Sequence, residues 1–321
     1  MHKAAQRTRH REQGAVAAPK RILCPVDFSE LSTRALAYAG TIAKWYRSEL
    51  TALHVAPALE PVEVLRAGEL FDPVRFASPR TREQVERQLR EAMHDAGLAA
   101  TRARAVAEAG DPSEVIVEQS VKTKAGLVVM ATHGRSGWNR LMLGSVAEKV
   151  LRTAPCPVLT VPPHAPPSPA RAAMKTILCA VDESPAALRG VRLAVDFARR
   201  AKASVTFLRV VEWLAEEEPR EIAHFSVPEI RGYLIRDAKE RLKELIAQQP
   251  RIARGAVATV AMGRAYREIL RIASEIGADL IVMGAQGRGG PPLTPLGSAT
   301  QQVVRAASCP VLTVNAPGRR A

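Results

Sequence analysis

Short apolar runs alternate with amphipathic stretches along most of the chain, a pattern that predicts strands and helices in regular succession. Ile22 to Val26 is an apolar run of strand length, and a helical stretch begins at Ser29 and continues through Leu36, Tyr38 and Ile42. Glu49 to Val55 predicts a second strand, residues 56 to 80 an irregular insertion interrupted by prolines, and Thr81 to Ala96 a charged amphipathic helix. Ala103 to Glu108 alternates as a strand does before Gly110. Asp111-Pro112-Ser113-Glu114 then offers a helix start, with proline near the first helical position and acidic groups at the positive end of the helix. Leu127 to Met130 is an apolar strand, followed by a glycine-bearing loop, a helix over Ser145 to Arg152 and a last strand at Val158 to Val161.

The whole pattern then repeats. KRILCPVDFS from Lys20 returns as MKTILCAVDES from Met174, and the six residues CPVLTV at Cys156 return unchanged at Cys309. Asp27 corresponds to Asp182, Gly134 to Gly287, Gly144 to Gly297 and Cys156 to Cys309. The second copy predicts strands at Thr176 to Val181, Ser204 to Val210, Ala256 to Val260, Leu280 to Met283 and Val311 to Val314. Its helices are expected from Pro185, near Glu229 to Ala247 and from Arg264. A period of this length is far above the roughly 20 to 50 residues of solenoid repeats and has the size of a domain. The chain therefore divides into a basic tail (1–19), domain 1 (20–161), a linker (162–173), domain 2 (174–314) and a short tail (315–321). The linker, PPHAPPSPARAA, has five prolines in twelve positions and is expected to be semi-rigid and extended. Apolar strands that alternate with helices indicate α/β domains, each with a parallel sheet covered on both faces.

Composition refines this picture modestly. Aromatic residues make up only 4% of the 321, so the two cores must be aliphatic. The net charge of +14 invites a nucleic-acid reading, because clustered cations gain affinity by releasing counterions. Yet Arg outnumbers Lys 36 to 10 amid abundant Ala, Pro and Gly, which fits a GC-rich codon supply better than a selected patch. Residues 1 to 21 carry six Lys or Arg against Glu12 alone and no apolar periodicity, so the start reads as a disordered basic tail. It has neither the apolar core of a secretory signal nor the apolar helical stripe of a transit peptide, and no run has the length of a membrane span; a cytoplasmic protein is expected. Cys24, Cys156, Cys179 and Cys309 all lie in apolar strand-like runs without metal-site spacing, which favours small buried hydrophobes over disulfides or metal ligands.

The candidate chemistry lies after the fourth strand of each copy. Gly284, Gly287, Gly297 and Ser298 give the pattern G-x2-G-x9-G-[S/T], and domain 1 matches it at Gly134, Gly144 and Ser145, with Ala131 at the first glycine position. A loop that leaves a parallel strand and enters a helix can present backbone N–H groups to an anion, and glycine permits positive φ and close approach. Ser145 or Ser298 could cap that helix and donate a hydroxyl to the same anion. Neither a Walker loop nor GxGxxG is present. A lone loop of this kind is more often a plain turn; two at corresponding places, each coupled to an Asp ending a first strand, favour an anion site. For Asp27 and Asp182 a helix N-cap is the competing role, and both roles are compatible.

These residues, together with VVMATHGRSG, LGSVAEKVLR and APCPVLTV, resemble a tandem universal stress protein, and the resemblance spans both copies. It implies two tandem doubly wound domains, each a five-stranded parallel sheet of order 3-2-1-4-5 with helices on both faces. It further implies an adenine nucleotide, ATP, across the carboxyl ends of the strands, as open α/β sheets favour. On that basis Asp27 would lie near the adenosine, the Val55 backbone would meet the adenine, and Gly134, Arg135, Gly144, Ser145 and Val146 would hold phosphates and ribose. The counterparts are Asp182, Val210, Gly284, Gly287, Gly297, Ser298 and Ala299. Mg²⁺ or Mn²⁺ could accompany the phosphates, since oxygen-rich sites suit hard cations.

The copies differ in their loops. Pro291, Pro292 and Pro295 stand where domain 1 has Trp138, Asn139 and Met142, which removes backbone donors, so domain 1 is expected to be the more dependable nucleotide site. No general-base constellation surrounds the loop, and His54 and His133 are isolated, so the resemblance points to a nucleotide-dependent switch that is not an enzyme, with slow hydrolysis at most. The rival reading is a nucleotide-free interaction protein of the same family, with Val158 to Val161 meeting Val311 to Val314 in an intramolecular pseudo-dimer, alone or within a homo-oligomer. A related hydrolase would require a Ser-Gly-Gly loop after the first strand, and Asp27-Phe28-Ser29-Glu30 is not one.

Overall fold

Each first strand must be apolar on both sides to lie inside a parallel sheet, and RILCP and TILCA meet that requirement with Ile, Leu and Cys. A computed structural model of the chain describes residues 18–56, 79–98, 101–134, 143–166, 174–212, 227–249, 256–287 and 296–316. The chain separates into two compact units, built chiefly from Ala18–Ala173 and from Met174–Ala306. The first contains β1 (Arg21–Pro25), α1 (Glu30–Tyr46), β2 (Glu49–Ala56), α2 (Pro79–Asp95), β3 (Ala103–Ala109), α3 (Pro112–Lys122), β4 (Leu127–Ala131), α4 (Ser145–Thr153) and β5 (Val158–Val161). The second repeats the series as β6 (Thr176–Ala180), α5 (Pro185–Ala201), β7 (Ser204–Val211), α6 (Val227–Ala247), β8 (Val257–Met262), α7 (Ala265–Glu275), β9 (Leu280–Gly284), α8 (Ser298–Ala306) and β10 (Val311–Val314).

Within the first unit the strand order is β3-β2-β1-β4-β5, and within the second β8-β7-β6-β9-β10, so both have the 3-2-1-4-5 order. In the first, β1 runs parallel to β2 with Ile22 beside Leu50, and parallel to β4 with Ile22 beside Leu127. In the second, β6 stands between β7 and β9 with Ile177 beside Val205 and Leu280. Strand order reverses at β1 and at β6, so a crevice opens beyond their carboxyl ends. The alternating pattern located these strands to within two residues, and Val158–Val161 and Val311–Val314 coincide with their expected limits. Of the irregular insertion expected at 56–80, Ala56 belongs to β2 and Pro79 and Arg80 to α2, while 57–78 lie outside the described residues, as do most of the basic tail and the later part of the linker.

Local chemistry explains the helix starts. Ser29 and Ser184 are the N-caps of α1 and α5, each accepting from the backbone N–H three residues on, and Asp111 does the same for α3 with Pro112 in the first turn. The described beginning of the linker, residues 162–166, includes a turn and is not simply extended. The Ala165 N–H donates to Pro162 O at 3.1 Å across this turn, and Arg34 of α1 donates through Nη1 to the Pro163 and Ala165 carbonyls at 2.5 and 2.7 Å. Arg189, its counterpart in α5, donates to Asn315 O at 2.6 Å. The repeat also extends to backbone conformation: φ is 64° at Phe28 and 63° at Glu183, and 54° at Arg47 and 56° at Lys202. Phe28 and Glu183 share no side-chain chemistry, so the fold and not the residue type imposes the left-handed turn there.

The cores are aliphatic, as expected, except that Phe197 and Phe207 are the largest fully buried side chains and both belong to the second unit. No helix among the described residues is long and apolar enough to cross a membrane. All four cysteines are buried, and none is in a disulfide. Burial pushes the Cys24 and Cys179 thiols far above their ordinary pKa and that of Cys156 up to about 12, since a thiolate would lose its solvation there. A thiol pKa raised by folding contributes stability that is present below the unfolded value, about 8.5, and is lost as pH rises toward the folded value. Native protein at pH 8 is expected to leave these thiols unmodified by iodoacetamide, with labelling in denaturant; rapid native labelling of Cys24 or Cys179 would contradict the burial.

Candidate functional site

Beyond the last residue of β1 the chain must turn sharply into α1, and Asp27 organises that turn. The Ser29 N–H and Oγ–H both donate to Asp27 Oδ1, at 3.0 and 2.6 Å, while Ser29 Oγ accepts from the Ser32 N–H at 3.2 Å. Asp182 and Ser184 reproduce the arrangement with the same two distances. The aspartates are therefore not N-caps. The serines are, and each aspartate holds its serine in place.

The other carboxylate oxygen faces the glycine loop. A Cβ placed on Gly134 would lie 2.6 Å from Asp27 Oδ2, and one on Gly287 would lie 2.8 Å from Asp182 Oδ2. Real Cβ atoms essentially never approach that closely, so any side chain here would require the aspartate to move. Positive φ is not the reason: among the described glycines it occurs at Gly97, Gly110, Gly263 and Gly277, none of them in these loops. Ala131 likewise has no positive φ, which is why alanine can stand where the second domain has Gly284.

Both ends of each loop are fastened. Gly144 N–H donates to Thr132 O at 2.9 Å and Gly297 N–H to Ala285 O at 2.8 Å, while Thr132 and Ala285 bond the final strands through Val161 O and Val314 O. This sets the first turns of α4 and α8, with their unpaired N–H groups, beside the strand ends. Gly144 is the N-cap of α4 and makes no side-chain cap, so the expectation that Ser145 caps the helix does not hold; Ser145 and Ser298 are the first helical residues, and both are exposed. Arg135 lies outside the described residues, as do Pro291, Pro292, Pro295, Trp138, Asn139 and Met142.

In the second domain these features surround a cavity of about 860 Å³, within the roughly 300 to 1,000 Å³ range of small-molecule sites. Asp182, Val210, Gly284, Gly287, Gly297 and Ser298, the residues singled out in that domain, all line it, and Ala299 does too. In the first domain Asp27 and Gly134 are brought together as described, Val55 continues β2 past the Pro25–Leu53 pairing, and Val146 is half-buried in the first turn of α4. His133 is buried, with Nδ1 2.9 Å from Thr132 Oγ1 and no hydrogen-bond partner for Nε2. His54 is not isolated: its Nδ1 lies 2.7 Å from Val26 O, and its ring packs against Phe28 with centroids 4.6 Å apart.

Sequence reasoning missed a charged wall of the second cavity. Glu183, Arg209, Asp237 and Arg241 line it, the last two from α6. Arg241 Nε meets Asp237 Oδ2 at 2.9 Å, and the hydrogen bond and charge of Asp237, aided by the charge of Glu183, hold the guanidinium pKa above its ordinary value. Arg209 Nη1 donates to Val181 O at 3.4 Å. Comparing the two copies position by position would have exposed Glu183 opposite Phe28 and Arg209 opposite His54. Among the described residues no group of three or more His, Cys, Asp or Glu is gathered to hold a metal ion.

A model of the Universal stress protein family matches residues 19–162 and again 174–315. A universal stress protein of Mycobacterium tuberculosis is 28% identical over 313 residues, covering 92% of this chain and 95% of the relative. One from Methanocaldococcus jannaschii is 34% identical over 142 residues, 44% of this chain and 81% of that protein. The fold is similar to the crystal structure of a universal stress protein from Archaeoglobus fulgidus, with a TM-score of 0.65 at 22% identity over 93% of this chain and 99% of that one.

The Asp–Gly approach yields a double-mutant test. Gly134→Ala is expected to destabilise the protein by about 1–3 kcal/mol in urea unfolding, because the new methyl displaces Asp27 Oδ2. Asp27→Ala also costs stability, but the double variant should lose clearly less than the sum; additive losses would show that the two residues do not meet.

Proposed function

The chain belongs to the universal stress protein family, and on that premise we propose that it is a nucleotide-binding stress-response protein that changes conformation or partners with nucleotide state. The observation that carries this reading is the convergence of Asp182, Val210, Gly284, Gly287, Gly297 and Ser298 on one cavity of about 860 Å³. The cavity lies outside the carboxyl ends of parallel strands and meets the first turn of a helix, where backbone N–H groups favour phosphate. An adenine nucleotide, ATP, is the ligand that the family resemblance implies. We assign it to the first domain, where Asp27 and Gly134 repeat the close approach found in the second.

A Mg²⁺ or Mn²⁺ ion entering with the phosphates would draw its ligands mainly from phosphate oxygens and water, since the described side chains supply no ready set. The residues that hold the nucleotide are backbone amides, glycines and a carboxylate already engaged by a serine. This arrangement suits binding better than turnover, and the proposal is of a cytoplasmic switch without membrane or nucleic-acid partners. Protein purified gently and then denatured is expected to release nucleotide, identified by chromatography and mass spectrometry, whereas Gly134→Val/Gly287→Val protein should release little. Wild-type protein that carries none, and binds none on titration to millimolar concentrations, would select the nucleotide-free interaction module instead.

One observation keeps that second reading in view. β5 and β10 close one side of their respective sheets and share the apolar sequence VLTV, and an apolar edge strand requires a partner. We propose that the two strands pair in both readings. Thr160→Cys with Thr313→Cys should then give an intramolecular disulfide under mild oxidation, seen as a mobility shift reversed by reductant; cross-linking only between chains, or none, would remove the pairing.

A further inference from the structure

The two ends of the nucleotide site have diverged to different degrees. At the glycine-loop end the domains match: Gly134 and Gly287 meet their aspartates alike, and Gly144 and Gly297 close their loops alike. At the other end, beside Asp182 and Val210, four charged residues of the second domain, besides Glu212 at the rim, have no charged counterpart in the first. Glu183 corresponds to Phe28 and Arg209 to His54. Aligning the buried pair Ala238 and Leu242 of α6 with Leu89 and Met93 of α2 sets Asp237 against Gln88 and Arg241 against Ala92.

These charges converge. A small recess of about 10 Å³, adjoining the main cavity, is lined by Glu183, Arg209 and Arg241, and Asp237 pairs with Arg241 at 2.9 Å. Two guanidinium groups and two carboxylates at one end of a site disfavour an apolar occupant, because covering them without hydrogen bonds carries a large desolvation penalty. They suit a planar polar group that offers paired acceptors on one edge and paired donors on another. Guanine has this layout: O6 and N7 accept from a guanidinium, and N1–H and N2–H donate to a carboxylate, both as charge-assisted bidentate pairs. Adenine alternates donor and acceptor along its edges, which an amide matches, so it would leave a guanidinium or a carboxylate half-satisfied. The first domain presents the Phe28–His54 ring pair in the places of Glu183 and Arg209.

We propose that the second domain selects a guanine nucleotide, read by Arg209, Arg241, Glu183 and Asp237, while the first takes adenine; this rests on the nucleotide-binding reading above. The protein would then report on two nucleotide pools within one chain.

The test uses the full chain, titrated with fluorescent GTP and ATP analogues, as wild type, as Glu183→Phe/Arg209→His and as Arg241→Ala. Wild type should show one class of site that prefers GTP and one that prefers ATP. Glu183→Phe/Arg209→His, which installs the residues of the first domain, should weaken the GTP class about tenfold or more while leaving the ATP class within twofold, since each bidentate pair is worth about 1–3 kcal/mol of discrimination. If that variant does not fold by circular dichroism, Arg241→Ala decides, with a smaller loss confined to GTP. A wild-type protein whose sites both prefer ATP, or variants that bind GTP as wild type does, would overturn the guanine assignment and leave the nucleotide reading standing. Binding of neither nucleotide would overturn both.

Discussion

At the end of each first strand, one aspartate joins three elements. One oxygen of Asp27 receives two hydrogen bonds from Ser29 and so sets the start of α1, while the other lies so close to Gly134 that a Cβ there would displace it. The strand end, the helix start and the loop are thereby registered to one another by a single carboxylate. Asp182 does the same in the second domain with distances that agree to 0.2 Å or better. A charge-assisted bond of this kind is shorter and stronger than a neutral one, which makes the turn a firm reference for whatever binds beside it.

Around that shared reference the copies vary where the backbone leaves them free. The left-handed turn after the aspartate accepts Phe28 in one copy and Glu183 in the other. The next strand brings His54 or Arg209 to the same place, so two substitutions exchange a ring pair for a charged pair without altering the frame. Duplication has preserved the geometry at the glycine-loop end of the crevice and released the residues at its other end.

Much of this was legible in the sequence. The apolar runs located the strands because a buried parallel strand has almost no other way to be written, and the repeat doubled the signal at every position. Asp111-Pro112 marked a helix start because its capping chemistry is local. What stayed hidden depended on distance in space. Nothing local distinguishes a glycine needed for positive φ from one needed because a carboxylate lies opposite, and the serine after the last glycine looks like a cap until the helix is seen to begin at it. Asp237 and Arg241 read as an ordinary i, i+4 surface pair of an amphipathic helix, and only the packing of α6 brings them to the crevice.

The bond that fastens Gly144 to Thr132, and Gly297 to Ala285, has a consequence for how such a protein can change. Strand and helix packing already bring the two ends together, so the residues between them close a loop whose ends are fixed. Its closure entropy depends only weakly on its length, about 0.6 kcal/mol for each doubling. Prolines, charges or extra residues can enter it without moving the helix start that follows. Between Gly134 and Gly144, and between Gly287 and Gly297, the two copies can therefore differ in sequence while the strand and helix that hold the loop ends stay in register.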